Sequence, residues 1–127
     1  MATILKGTVL WCYDYEIVQR VVANDISYQF SGINPFHTHK GIINLNDKYL
    51  SISGDIDINL PLSHITQLFL GFDENYTPLL AKNLGVFWQP LRLTTYTNSI
   101  VYLIVDYNLL FSKNKKWYNT LQQILSA

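Results

Sequence analysis

The sequence is short of cysteine, of charge and of long apolar runs, and each shortage excludes a class of protein. The single cysteine, Cys12, cannot form an intrachain disulfide, and beside Trp11 and Tyr13 it is typical of a small buried side chain. No stretch approaches the roughly 18 apolar residues of a membrane-spanning helix. The apolar patch at 8–13 is too short for a signal peptide, so we expect a soluble, cytoplasmic protein.

Charged residues make up only 14% of the 127 residues, and nine Lys and Arg balance nine Asp and Glu. Nucleic-acid-binding proteins normally carry a basic excess, so we expect no nucleic-acid partner. A surface with few charges and no net charge promotes self-association. The hydrophobic fraction of 49% is enough for a packed core, which indicates one domain spanning residues 1–127.

Most of the chain consists of short segments in which apolar and polar residues alternate, separated by turn residues. Segments 39–45 and 49–53 flank Asn46-Asp47 and predict a β-hairpin. Segment 100–105 is apolar on both faces and is therefore predicted to be a central strand. Residues 8–23 fit a helix and a strand equally well. The other predicted strands are 26–32, 56–60, 65–72 and 85–96, the last interrupted near Pro90.

The C-terminal stretch 112–125 predicts one amphipathic helix, with Ser112 as its N-cap. We expect a mainly β barrel or sandwich of roughly six or seven antiparallel strands, closed by this C-terminal α-helix, whose Trp fills the open end. The residues that share the apolar face at helical spacing are Trp117, Leu121, Ile124 and Leu125.

Two stretches resemble a pleckstrin-homology-type domain, including its GRAM and bacterial variants. Residues 40–52, KGIINLNDKYLSI, are similar to the early hairpin of that family, and 116–124, KWYNTLQQI, to its terminal helix with a buried Trp. Residues 61–65, PLSHI, resemble a step in the GRAM-type and bacterial members. The resemblance implies a pleckstrin-homology-like barrel from residue 26 onward, and leaves 1–25 as an N-terminal extension that adds an edge strand or mediates assembly.

The resemblance also suggests phosphoinositide binding, which needs several basic groups converging on one point. In the early hairpin, however, Ile42 and Asn44 stand where Lys or Arg would be needed. A peripheral membrane or phospholipid-binding module is therefore our alternative interpretation. Its candidate residues are Lys40, Arg92, Lys113, Lys115 and Lys116.

Signals for metal binding or catalysis are weak. His37, His39 and His64 could supply three imidazoles, but nothing marks an accompanying carboxylate, so we predict no metal site and no cofactor. The paired carboxylates Asp14/Glu16 and Asp55/Asp57 are typical of polar edges and turns. Since the sequence also has no Gly-rich phosphate loop and no nucleophile elbow, we predict that the protein is not an enzyme and infer no small-molecule substrate.

Aromatic residues supply the remaining signal. Phe87 and Trp88 are adjacent, and adjacent residues on a strand face opposite sides, so we expect one of them at a surface. Aromatic side chains are enriched at protein interfaces. The sequence thus predicts a non-enzymatic binding or assembly module that contacts a protein partner or a second copy of itself. The predicted contact residues are Trp11, Tyr13, Tyr15, Phe87 and Trp88.

Overall fold

The computed structural model describes residues 3–19, 37–76, 88–108 and 111–126. The strands are β1 (Leu5–Tyr13), β2 (His39–Leu45), β3 (Tyr49–Gly54), β4 (Ile58–Pro61), β5 (Ile65–Leu70), β6 (Leu91–Thr95) and β7 (Ile100–Val105). The helices are α1 (Asp14–Gln19), α2 (Asn114–Leu125) and the 3-10 turn η1 (Leu62–His64). The mainly β fold with one C-terminal helix is confirmed. The strand predicted at 26–32 and the start of the one predicted at 85–96 lie outside the described residues.

All seven strands form one curled antiparallel sheet in the order β4-β3-β2-β1-β7-β6-β5. Strand β1 lies in the middle, because Leu5 to Trp11 pair with β2 and Val9 to Tyr13 pair with β7. The start of the chain is therefore a central strand, and the expectation that it adds a strand at the sheet edge is wrong. The hairpin predicted from 39–45 and 49–53 is confirmed as β2 and β3.

Over residues 8–19, both interpretations of the segment 8–23 hold in part, because the chain changes from strand to helix at Tyr13. Residues 20–23 lie outside the described ranges. A side chain in the first turn of α1 fixes this change. The Glu16 carboxylate accepts the Tyr13 backbone N–H at 2.8 Å, as the third residue of a capping box does.

Helix α2 fills the concave side of the sheet. Trp117 and Leu121 are buried in the main hydrophobic cluster, as predicted. Leu125 is 36% exposed, so its predicted place on the buried face is wrong. Ser112 is not the N-cap: the helix begins two residues later, and the Ser112 hydroxyl instead accepts the Asn114 backbone N–H at 3.3 Å. Within the described ranges, no helix is both long and apolar enough to cross a bilayer.

Asn114, at the start of α2, is a buried polar residue that joins the helix to the sheet. Its Oδ1 accepts the Val105 backbone N–H at 2.7 Å. Its Nδ2 donates to the carbonyls of Gln89 and Leu103 at 2.8 and 2.9 Å. The side-chain amide therefore satisfies backbone groups of β7 and of the segment before β6, which fixes where the helix starts.

The convex side of the sheet carries a second hydrophobic cluster. Tyr102 and Ile104 of β7 contribute to it, while Val101, Leu103 and Val105 of the same strand point into the main cluster. The prediction that 100–105 is a central strand, apolar on both faces, is confirmed. The other buried members of the convex cluster are Cys12, Ile17, Tyr76 and Trp88.

Candidate functional site

Two of the five predicted contact residues are buried. Trp11 is 0% exposed in the main cluster and Trp88 is 6% exposed in the convex cluster, so neither offers its ring to a partner in this fold. Trp11 therefore belongs to the core side of the sheet, whereas the expectation that one of Phe87 and Trp88 lies at a surface stays a prediction. Tyr15 is 53% exposed and stacks on the half-buried Tyr13 with 5.2 Å between ring centroids. Phe87 lies outside the described residues.

The predicted basic residues do not come together in one anion site. Arg92 of β6 donates to Asp73 Oδ2 at 2.9 Å and lies 4.6 Å from the centre of the Phe69 ring. Lys113 Nζ is 3.7 Å from Asp106 Oδ2. The remaining candidates, Lys40, Lys115 and Lys116, are exposed on β2 and on the first turn of α2.

His39 and His64 have different surroundings. His64 packs edge-on against Tyr96 with 4.6 Å between ring centroids. His39 Nδ1 is 2.7 Å from Asp55 Oδ2, and its Nε2 is 2.9 Å from Glu16 Oε2. Among the described residues, no group of three or more His, Cys, Asp and Glu side chains is placed to hold a metal ion. The described part of the chain therefore brings His39 together with two carboxylates.

The contacts of His39 join three elements: β2, α1 and the turn after β3. In the imidazolium form both ring nitrogens carry a proton, so His39 can then donate to both carboxylates at once. The hydrogen bond from His39 lowers the pKa of the Asp55 carboxyl. A Cβ on either Gly41 or Gly54, which pair across β2 and β3, would collide with the backbone of the opposite strand, so glycine permits the close approach next to Asp55.

Asp73 anchors residues 71–76 to the convex face. Its Oδ1 accepts the backbone N–H groups of Asn75 and Tyr76, and its Oδ2 accepts the Tyr102 hydroxyl at 2.6 Å and Arg92. Burial raises the pKa of Asp73, but these hydrogen bonds outweigh it and the pKa is lowered overall. Burial and the Asp73 carboxylate raise the pKa of Tyr102. Both carboxylate oxygens are engaged, so the cluster serves as a structural anchor.

A groove of about 600 Å³ lies between β5 and α2. Its β5 side presents Ile65, Thr66, Gln67 and Leu68, and its α2 side presents Tyr118, Gln122 and Leu125. None of its lining residues is Asp, Glu, Lys or Arg. The lining thus offers apolar surface with neutral hydrogen-bonding side chains, which suits an uncharged, partly apolar ligand surface.

The outer edge of β5 borders this groove and is unpaired within the described ranges. The Gly71 N–H donates to the Pro90 carbonyl. In an antiparallel pair every second residue is hydrogen-bonded to the neighbouring strand, so this bond identifies which residues of β5 face β6. The backbone of Phe69 is therefore hydrogen-bonded to the backbone of Arg92 in β6. The backbone N–H and C=O groups of Leu68 and Leu70 point away from β6. Strand β5 ends the order of the described strands, so within the described part of the chain these groups form an open edge.

No feature of the sequence indicated that β5 is an edge strand, although the alternation pattern predicted the strand itself. Edge strands usually carry a charged residue, often Lys, or a Pro, and each of these discourages pairing with another strand. Strand β5, ITQLFL, has none of these, and Phe69 on it is 37% exposed. An uncharged strand of this kind resembles an interior strand in sequence, and only the strand order distinguishes the two.

Comparisons with known proteins support the fold and nothing more specific. No family model matches the chain, and no curated protein matches it. Among solved structures, the chain is similar to the C-terminal domain of an unknown protein from Leishmania infantum, with a TM-score of 0.58 and 8% sequence identity. The match covers 99% of this chain and 85% of the other. At this identity the likeness concerns the fold alone.

Proposed function

We propose that the protein is a non-enzymatic binding module that takes an extended segment of a protein partner along the outer edge of β5, against α2. The observation that carries the proposal is the open, uncharged edge of β5 beside the groove. The resemblance to pleckstrin-homology-type domains remains part of the proposal, and the curled seven-stranded sheet with its C-terminal helix supports it.

Strand addition fits this edge for a physical reason. A partner strand would satisfy the outward N–H and C=O groups of Leu68 and Leu70, and main-chain hydrogen bonds of this kind supply affinity in β-augmentation. Alternate side chains of the added strand would then point toward α2 and contact Tyr118 and Leu125 in the groove. A second copy of the chain is included among the partners, because the zero net charge adds no repulsion between copies.

The membrane alternative has weaker support. Arg92 is engaged by Asp73 and Lys113 lies near Asp106, which leaves Lys40, Lys115 and Lys116 as exposed candidates without an ion pair among the described residues. Each basic residue near an anionic surface contributes only about 1 kcal/mol. We therefore expect no sedimentation with anionic liposomes at physiological salt, and clear sedimentation would favour this alternative over the protein partner.

A displayed-peptide selection against the full chain, with two variants, tests the proposed site. Gln122 lines the groove, whereas its exposed neighbour Gln123 does not. We expect Gln122→Trp to obstruct the groove and weaken binding of the selected peptides at least about tenfold, and Gln123→Trp to change it less than about twofold. Equal effects of the two variants, or selected peptides that leave the β5 amide signals unchanged, would reject the site.

A further inference from the structure

A second cavity, of about 260 Å³, lies beyond η1 from the groove. Ser63 lines the groove and His64 lines this cavity, so consecutive residues of η1 face different spaces. Its walls come from Ile58 and Leu60 of β4 and Val101 of β7. Because β4 and β7 are not neighbours in the strand order, the cavity opens where distant strands of the curled sheet approach each other.

The floor of the cavity is apolar. Ile58 and Leu60 are partly buried and pack against the main hydrophobic cluster, to which Val101 belongs. A ligand that enters between them would remove this remaining apolar surface from water, which favours an apolar body at that end.

The rim of the cavity carries a chain of hydroxyl groups on the β6–β7 turn. Thr95 Oγ1 is 3.0 Å from Thr97 Oγ1, which is 3.3 Å from Ser99 Oγ. Two of the three hydroxyl protons are used in these two hydrogen bonds. One O–H therefore remains free to donate, and several oxygen lone pairs remain free to accept a hydrogen bond. The rim can therefore satisfy one polar group of a ligand, either a hydroxyl or a carbonyl.

The charge and volume of the cavity limit the ligand further. None of the lining residues is Asp, Glu, Lys or Arg, so an ionised ligand group would find no carboxylate, ammonium or guanidinium counter-charge there; the one basic ring, His64, packs edge-on against Tyr96. At the roughly 30 Å³ that a liquid water molecule occupies, 260 Å³ corresponds to about nine non-hydrogen atoms. The cavity is smaller than the ~300–1,000 Å³ pockets that hold drug-sized ligands.

We propose that this cavity binds a small uncharged amphiphile, with its hydrocarbon end against Ile58, Leu60 and Val101 and one hydroxyl or carbonyl at the Thr95–Thr97–Ser99 rim. This site is separate from the β5 edge and does not depend on the proposed partner binding. It also adds a small-molecule ligand class that the sequence alone did not indicate.

Titration of the labelled full chain with 1-octanol, followed by nuclear magnetic resonance, tests the proposal, with sodium octanoate as the charged probe of equal chain length. We expect saturable shifts of the Ile58, Leu60 and Val101 methyl signals with octanol, and at least about tenfold weaker binding of octanoate. No saturable shift, or equal binding of the two probes, would overturn the proposal.

Two threonine variants locate the polar end of the ligand. Thr97→Val replaces the hydroxyl in the middle of the chain at an exposed turn, and should weaken octanol binding about three- to tenfold. Thr66→Val, an equally exposed position in the other groove, should leave binding unchanged within about twofold. If Thr97→Val binds octanol as the wild type does, the hydroxyl rim has no role and the assignment of the ligand class is wrong.

Discussion

The two sides of the sheet are buried in different ways. The concave side is filled by Trp11 and a larger number of aliphatic residues, and it is closed by α2 through Trp117 and Leu121. The convex side is covered by an aromatic cluster whose hydroxyl and guanidinium groups are held by Asp73. The burial of the concave side depends on close packing. The burial of the convex side depends on packing and on the hydrogen bonds of the Asp73 carboxylate. Because both sides are covered around β7, the proposed partner binding is placed at an edge of the sheet.

The largest effect is expected on the concave side. Trp117→Ala removes the largest side chain of α2 from the main cluster and should lower the free energy of unfolding by about 3–5 kcal/mol. Urea denaturation measures the change, and Ile56→Ala, at an exposed apolar position, is the control with an expected change within about 0.5 kcal/mol. Equal losses in the two variants would show that α2 does not close the core.

Asn114→Ala tests whether the helix is also fixed by hydrogen bonds. The variant leaves the Val105 N–H and the Leu103 and Gln89 carbonyls without the side-chain amide, and each unsatisfied buried group costs roughly 1–3 kcal/mol. We expect a total loss of about 3 kcal/mol by the same denaturation measurement. Asn119→Ala, at an exposed position of α2, should cost almost nothing, and a similar loss there would contradict the role of Asn114.

Tyr102→Phe tests the convex side with a smaller change. It removes one hydrogen bond to the Asp73 carboxylate and keeps the aromatic ring, so we expect a loss of about 1.5–3 kcal/mol, the usual contribution of a hydrogen bond to a charged group. Tyr96→Phe, at an exposed ring that is 63% accessible, is the control. If the two variants unfold at the same urea concentration, Asp73 does not anchor the convex cluster.

The convex side should also be the more sensitive to acid. The pKa of Asp73 is lowered in the folded protein, so the ionised carboxylate stabilises the fold above the ordinary value of 3.8, and this contribution disappears as pH falls through the lower folded pKa. The difference in free energy of unfolding between wild type and Asp73→Asn should therefore shrink as pH falls below 3.8. If this difference in free energy of unfolding grew on acidification, the ionised Asp73 carboxylate would not be the form that stabilises the fold.

The elements that the sequence predicted correctly are those set by local pattern. The β2–β3 hairpin follows from alternation and a turn signal, and Trp117 follows from helical spacing. The pattern also identified β7, because a strand that is apolar on both faces has to be covered on both. The burial of Trp11 was missed, because it depends on the place of β1 in the middle of the sheet, which pairing with the distant strands β2 and β7 determines.

The candidate site could not be predicted in the same way, because it depends on contacts between distant parts of the chain. Strand β5 becomes an edge only through the order of the other strands, and α2 reaches it from about 50 residues further along the chain. The contact of His39 with Glu16 and Asp55 likewise joins residues separated by 23 and 16 positions. No spacing rule connects residues so far apart.

Amide hydrogen exchange in β5 tests most directly whether its outer edge is open. In the dilute monomer, the Phe69 amide should be protected by its bond to β6, while the Leu68 and Leu70 amides should exchange at least about a hundredfold faster. Addition of a bound partner peptide should then slow Leu68 and Leu70 selectively. Equal protection of all three amides in the monomer would mean that the edge is already paired, and would contradict the proposed mode of binding.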